Sequence, residues 1–125
     1  MEPVEINAGA WYLRALRDDD RVTDVPALGE TGLLGTASDS PAQFVADAAS
    51  WWADETRFTW AVCEPTTGEL IALIAVTRDD RRPDHAYLTS AYRADHTEAL
   101  AVGSAAVTRF VEGALGLTVA PSAEL

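Results

Sequence analysis

Two apolar runs joined by a four-residue turn constrain this chain more than any other feature. Residues 58–63 read as a strand, Pro65-Thr66-Thr67-Gly68 as a hairpin turn and residues 69–77 as a second strand. Aromatic and β-branched residues are frequent in both runs, and the turn carries a proline and a glycine at its ends. So short a connection allows only antiparallel neighbours. The second run is apolar at most positions, so it is expected to be buried on both faces.

The remaining elements follow from periodicity and punctuation. Residues 9–17 alternate, with Trp11, Leu13 and Ala15 on one face, and predict a first strand. The run Asp18-Asp19-Asp20 suits the start of a short helix over residues 19–25, which Pro26 ends. Residues 29–38 are rich in Gly, Thr and Ser and read as a loop. Asp39 or Ser40 caps the next helix, with Pro41 in its first turn. Phe44, Val45, Ala48, Trp51 and Trp52 then recur at helical spacing through Asp54. Adjacent tryptophans cannot share a face, so one enters the core and the other sits at an edge or contact surface.

Residues 78–84 form a charged connection, residues 85–89 a further strand, and residues 95–115 a long helix ended by Gly116. Residues 117–120 are a last short strand before Pro121. The order β-α-α-β-β-β-α-β predicts a mixed α+β fold. An antiparallel meander of about four strands is joined to one parallel β-α-β crossover, with helices on both faces. The whole chain, 1–125, reads as a single domain.

Composition narrows the function. The net charge is −11 and the pI about 4.3, a surface that repels nucleic-acid phosphates and anionic lipid. We therefore expect no nucleic-acid partner and no membrane association; a basic protein or a cationic amine suits the charge. No apolar run reaches membrane-span length, and the acidic N-terminus lacks a signal-peptide core, so a cytoplasmic protein is expected. The single Cys63 lies in a strand, where burial keeps a thiol protonated and inert. No motif predicts a metal site, and no residue pattern identifies a catalytic acid or base. His85, near a strand start, lacks a partner at a telling spacing.

Several stretches, in order, resemble one family. They are Tyr12-Leu13-Arg14-Ala15-Leu16-Arg17 with the acidic residues after it, Phe58-Thr59-Trp60-Ala61-Val62, Thr67-Gly68-Glu69-Leu70-Ile71, and Thr97-Glu98-Ala99-Leu100. Together, over roughly residues 8–120, they are similar to the RimJ/RimL-type acetyltransferases of the GNAT superfamily. The resemblance implies a GNAT-like fold and acetyl-CoA as cofactor if the protein is active. It implies that strand N–H groups near Leu88 and Thr89 polarise the thioester carbonyl. Arg93, Ala94, His96 and Thr97 then stand where the family's phosphate-binding turn meets its main helix.

The chain departs from that pattern twice. The family turn reads Arg/Gln-x-x-Gly-x-Gly/Ala, and glycine lets its backbone N–H groups approach the CoA pyrophosphate. Here Arg93-Ala94-Asp95-His96-Thr97 holds no glycine and is about two residues shorter. Asp95-x-x-Glu98 is instead a capping-box pattern, which would occupy those N–H groups. It also places negative charge where the ligand brings its own, and like charges about 4 Å apart repel by about 1 kcal/mol even in bulk water. The second departure is that the family's C-terminal helix and two strands are missing after the last predicted strand. That strand is expected to be an exposed edge covered by a homodimer or another protein.

These features predict a degenerate, non-catalytic binding or regulatory module of the GNAT fold. The alternative is an active acetyl-CoA-dependent N-acetyltransferase acting on a protein N-terminus or small amine. A further alternative is an acidic antitoxin- or immunity-like protein that binds a basic partner.

Overall fold

The hairpin predicted from the central apolar runs is the middle of a six-stranded sheet. The computed structural model describes residues 1–35, 38–92 and 96–122. The strands are β1 (Ile6–Ala8), β2 (Trp11–Arg14), β3 (Arg57–Cys63), β4 (Leu70–Arg78), β5 (His85–Tyr92) and β6 (Thr118–Pro121). They lie in sequence order across the sheet. All neighbours are antiparallel except β5 and β6, which are parallel and joined through a helix. The helices are α1 (Val25–Thr31), α2 (Pro41–Asp54) and α3 (Thr97–Leu115).

β3 divides the core. Its alternate residues Phe58, Trp60 and Val62 join Leu13, Ile74, Val107 and Val111 under α3. Ala61 and Cys63 join Leu28, Phe44, Val45 and Leu73 under α1 and α2. Period-two alternation sends these two sets to opposite faces, so helices cover both sides of the sheet. β4 is buried along Leu70–Val76, as expected for the most apolar strand. Gly103 lets α3 approach closely: a Cβ there would lie 3.1 Å from Ile74 Cδ1 and 3.4 Å from Val62 Cγ2.

The tryptophans divide as their adjacency requires. Trp52 is buried edge-on against Phe58 and Trp60, with ring centroids 5.1 and 5.0 Å away. Trp51 is partly exposed and stacks with the Arg57 guanidinium, 4.6 Å from its ring centre. Ser40 caps α2, its hydroxyl accepting from the Gln43 N–H at 3.2 Å, and Pro41 follows at the first position. Gly116 ends α3 at φ 68°.

The first third differs from the sequence expectation. The strand expected over residues 9–17 is the shorter β2, and β1 precedes it, with Gly9 at φ 60° turning the chain between the two. Residues 19–24 are not helical. Asp19 closes a tight turn, its carboxylate accepting from the Arg21 and Val22 N–H groups at 2.9 and 3.1 Å. The aspartate side chain supplies the local hydrogen bonds that a helix would need from its backbone. α1 begins later, and Pro26 lies in its first turn, where a missing N–H is tolerated. Residues 29–31, expected in a loop, are therefore helical.

Candidate functional site

β5 has two edges, and only one is paired along its whole length. The Asp79 N–H donates to the His85 carbonyl at 2.9 Å, so odd-numbered residues of β5 turn their backbone groups towards β4. Even-numbered positions face β6, since the Thr118 N–H donates to the Asp84 carbonyl at 2.7 Å and the Ser122 N–H to the Leu88 carbonyl at 2.8 Å. Pairing with β6 ends at Leu88 opposite Pro121. Ser90 and Tyr92 therefore present their backbone groups to an opening with no partner strand among the described residues.

This geometry shows which way the strand N–H groups near Leu88 and Thr89 face. Leu88 is the last residue held by β6. Thr89 turns its backbone to β4 opposite Ala75, and its hydroxyl donates to the Ala75 carbonyl at 3.5 Å. The N–H group that faces the opening is that of Ser90. Strand alternation could have revealed this, but only once the end of β6 was known.

His96 and Thr97 stand at the start of α3. His96 is the N-cap residue, and its side chain makes no cap hydrogen bond. Glu98 is the acidic residue of the first turn. With His96 as N-cap it occupies the second helical position, one short of the place a capping box needs. Arg93, Ala94 and Asp95 lie outside the described residues. Glu98 is exposed and places a negative charge in the first turn of a helix whose N-terminus attracts anions.

Two clefts flank the opening. One, of about 700 Å³, lies at the C-terminal end of β5 and includes Arg14, Asp24, Glu30, Thr31, Glu69 and Tyr92 in its lining. Arg14 and Asp24 neutralise each other through two 2.8 Å hydrogen bonds, and Asp24 also accepts from the Arg17 N–H at 2.7 Å. The hydrogen bonds to Asp24 raise the Arg14 pKa further above its ordinary value. The exposed Glu30 adds a further carboxylate to the lining. The sequence pattern did not single out Glu30, because it meets Tyr92 only through the α1–β5 geometry.

The second cleft, of about 480 Å³, is mostly apolar and includes Leu88, Ala105, Thr108, Arg109, Val119 and Pro121 in its lining. Leu88 thus marks one side of the opening and Tyr92 the other, with Ser90 between them. His85 stands at the far end of β5, with Nε2 3.8 Å from Asp84. Cys63 is buried, and burial pushes its thiol pKa up. Among the described residues, no group of three or more His, Cys, Asp or Glu side chains is placed to hold a metal ion. No described helix is long and apolar enough to cross a membrane.

The outer edge of β6 is already occupied at its donors. Alternation turns Val119 and Pro121 outward; the Val119 N–H donates to Glu112 Oε2 at 3.4 Å, and proline has no N–H.

No protein-family model and no curated protein matches the sequence. Solved structures do. A Vibrio cholerae protein with a provisional ribosomal-protein-serine acetyltransferase assignment superposes with a TM-score of 0.78 at 15% identity, over 94% of this chain and 72% of its own. A Bacillus anthracis GNAT-family acetyltransferase gives 0.71 at 9% identity, over 94% and 72%. The ribosomal-protein-S5-alanine acetyltransferase of Vibrio fischeri gives 0.65 at 13% identity, over 94% and 73%. The fold of this chain is that of the GNAT acetyltransferases.

Proposed function

We propose that this protein is a GNAT-fold binding module that holds a cationic ligand in the cleft between α1, the β3–β4 turn and Tyr92, and does not depend on acetyl-CoA. The ligand class is an amine or a basic segment of a partner protein. The carrying observation is the charge of the cleft: its one described cation, Arg14, is consumed by Asp24, while the exposed Glu30 carboxylate stands in the lining. A concavity lined by negative charge raises the local concentration of cations, and the whole-chain net charge of −11 has the same sign. Glu98 at the start of α3 supports the second half of the reading. A buried thiol without a disulfide suits a reducing compartment, and we place the protein in the cytoplasm.

Calorimetric titration with spermidine tests the cationic ligand. Saturable binding is expected, with Kd rising about two- to fivefold in Glu30→Gln, the range of an exposed ion pair. Equal heats for both proteins would refute the assignment of the cleft.

One observation favours the second reading, an acetyl-CoA-dependent N-acetyltransferase. The Ser90 N–H faces the opening beside the acidic cleft, where a strand donor can polarise a carbonyl. Glu98 at the start of α3 weighs against it. A second copy over the outer edge of β6, expected from the sequence, would have to displace Glu112.

A further inference from the structure

We infer that the opening beside β5 takes an extended polypeptide segment as an added strand, with cationic side chains on one face and apolar side chains on the other. This rests on the proposed reading that acetyl-CoA does not fill the same space.

Three observations converge. First, a stretch of the β5 edge has no partner strand among the described residues: Ser90 and Tyr92 both direct backbone N–H and C=O groups away from β4, and the pairing with β6 ends at Leu88. Two such residues in register accept and donate to a strand, the mode in which main-chain hydrogen bonds supply affinity. Second, the clefts stand on either side of that stretch. The apolar one lies against α3, with Ala105 and Thr108, and the acidic one against α1, with Ala27 and Thr31, and these helices cover opposite faces of the sheet. Successive side chains of an added strand point to opposite faces, so the two pockets would read alternate residues. Third, the other candidate edge at this end of the sheet is blocked. On β6 the outward Val119 N–H is taken by Glu112 and Pro121 has none. Charge complementarity decides the occupant: the acidic lining with Glu30 selects lysine or arginine side chains.

Peptides of alternating lysine and valine, eight residues long with both ends blocked, test the proposal by fluorescence anisotropy. One version is N-methylated on every lysine, another on every valine. The two have equal charge and apolar content. Residues that face β5 need a free N–H, and these all belong to one side-chain class. One methylated version should therefore lose affinity about tenfold or more relative to the other, as expected for lost hydrogen bonds at an interface. Ser90→Pro should remove the same difference, since its N–H faces the opening and not the β4 ladder. If that variant does not fold, the methylated pair alone decides.

Equal affinities for the two methylated peptides, or no binding of the unmethylated one, would overturn the inference. Acetyl-CoA is titrated separately. Its binding would refute the cofactor-independent reading, whereas failure of the peptide with acetyl-CoA also silent would refute only strand addition.

Discussion

Asp24 shows how much of this structure is decided by single contacts. Its carboxylate is nearly buried, holds both ends of the Arg14 guanidinium and accepts from the Arg17 backbone. Removing one partner of a buried pair leaves the other uncompensated. Asp24→Ala should cost about 3 kcal/mol, and lower Tm by about 10 °C in differential scanning calorimetry. An Arg14→Met/Asp24→Leu double variant should recover most of that loss. Asp19 gives the pH prediction. Hydrogen bonds from the Arg17 side chain, then from the Arg21 and Val22 N–H groups, lower its pKa to about 2 from an ordinary value of 3.8. A depressed folded-state pKa stabilises the fold above the ordinary value and loses that contribution as pH falls towards about 2. Stability should therefore fall less steeply between pH 4 and pH 2 in Asp19→Asn than in the parent, measured by urea unfolding. Equal slopes would show that the turn contributes nothing through ionisation. At Cys63, burial predicts negligible reaction with a thiol reagent until the protein unfolds.

Elements were legible wherever periodicity and punctuation agreed. The β3–β4 hairpin, the Ser40–Pro41 start of α2 and the Gly116 end of α3 all carry local signals that the tertiary structure keeps. The start of the chain was misread because aspartate is chemically ambiguous. Asp18-Asp19-Asp20 suits a helix N-terminus, yet Asp19 satisfies a turn, and Pro26 opens α1 instead of closing a helix. The site was less legible than the fold. Which N–H of β5 faces the opening depends on where β6 stops, and the acidic cleft joins Glu30 to Tyr92 across elements distant in sequence. Packing between elements yields its own prediction. Gly103→Val places new carbons against Ile74 and Val62, already at 3.1 and 3.4 Å from an added Cβ. Overpacking should cost about 1–3 kcal/mol in chemical denaturation, despite valine's better helix propensity. A neutral result would show that α3 can lift from the sheet without loss.

For the whole molecule, fold and function separate. The sheet order, the parallel β5–β6 crossover and the helices on both faces are those of the GNAT acetyltransferases. The chemistry that such a fold can carry depends on particular residues. Here the inner edge of β5 and the acidic cleft are present, whereas the described start of α3 offers Glu98 to an incoming phosphate. The central claim is that the architecture of an acetyltransferase serves a binding role that does not depend on its cofactor. Titration of the protein with acetyl-CoA to millimolar concentration, followed by thermal unfolding, tests it most directly. A ligand present at 100 times its Kd would add about 2.7 kcal/mol of stability. The account predicts no saturable shift in Tm, and a shift that saturates below millimolar acetyl-CoA would contradict it.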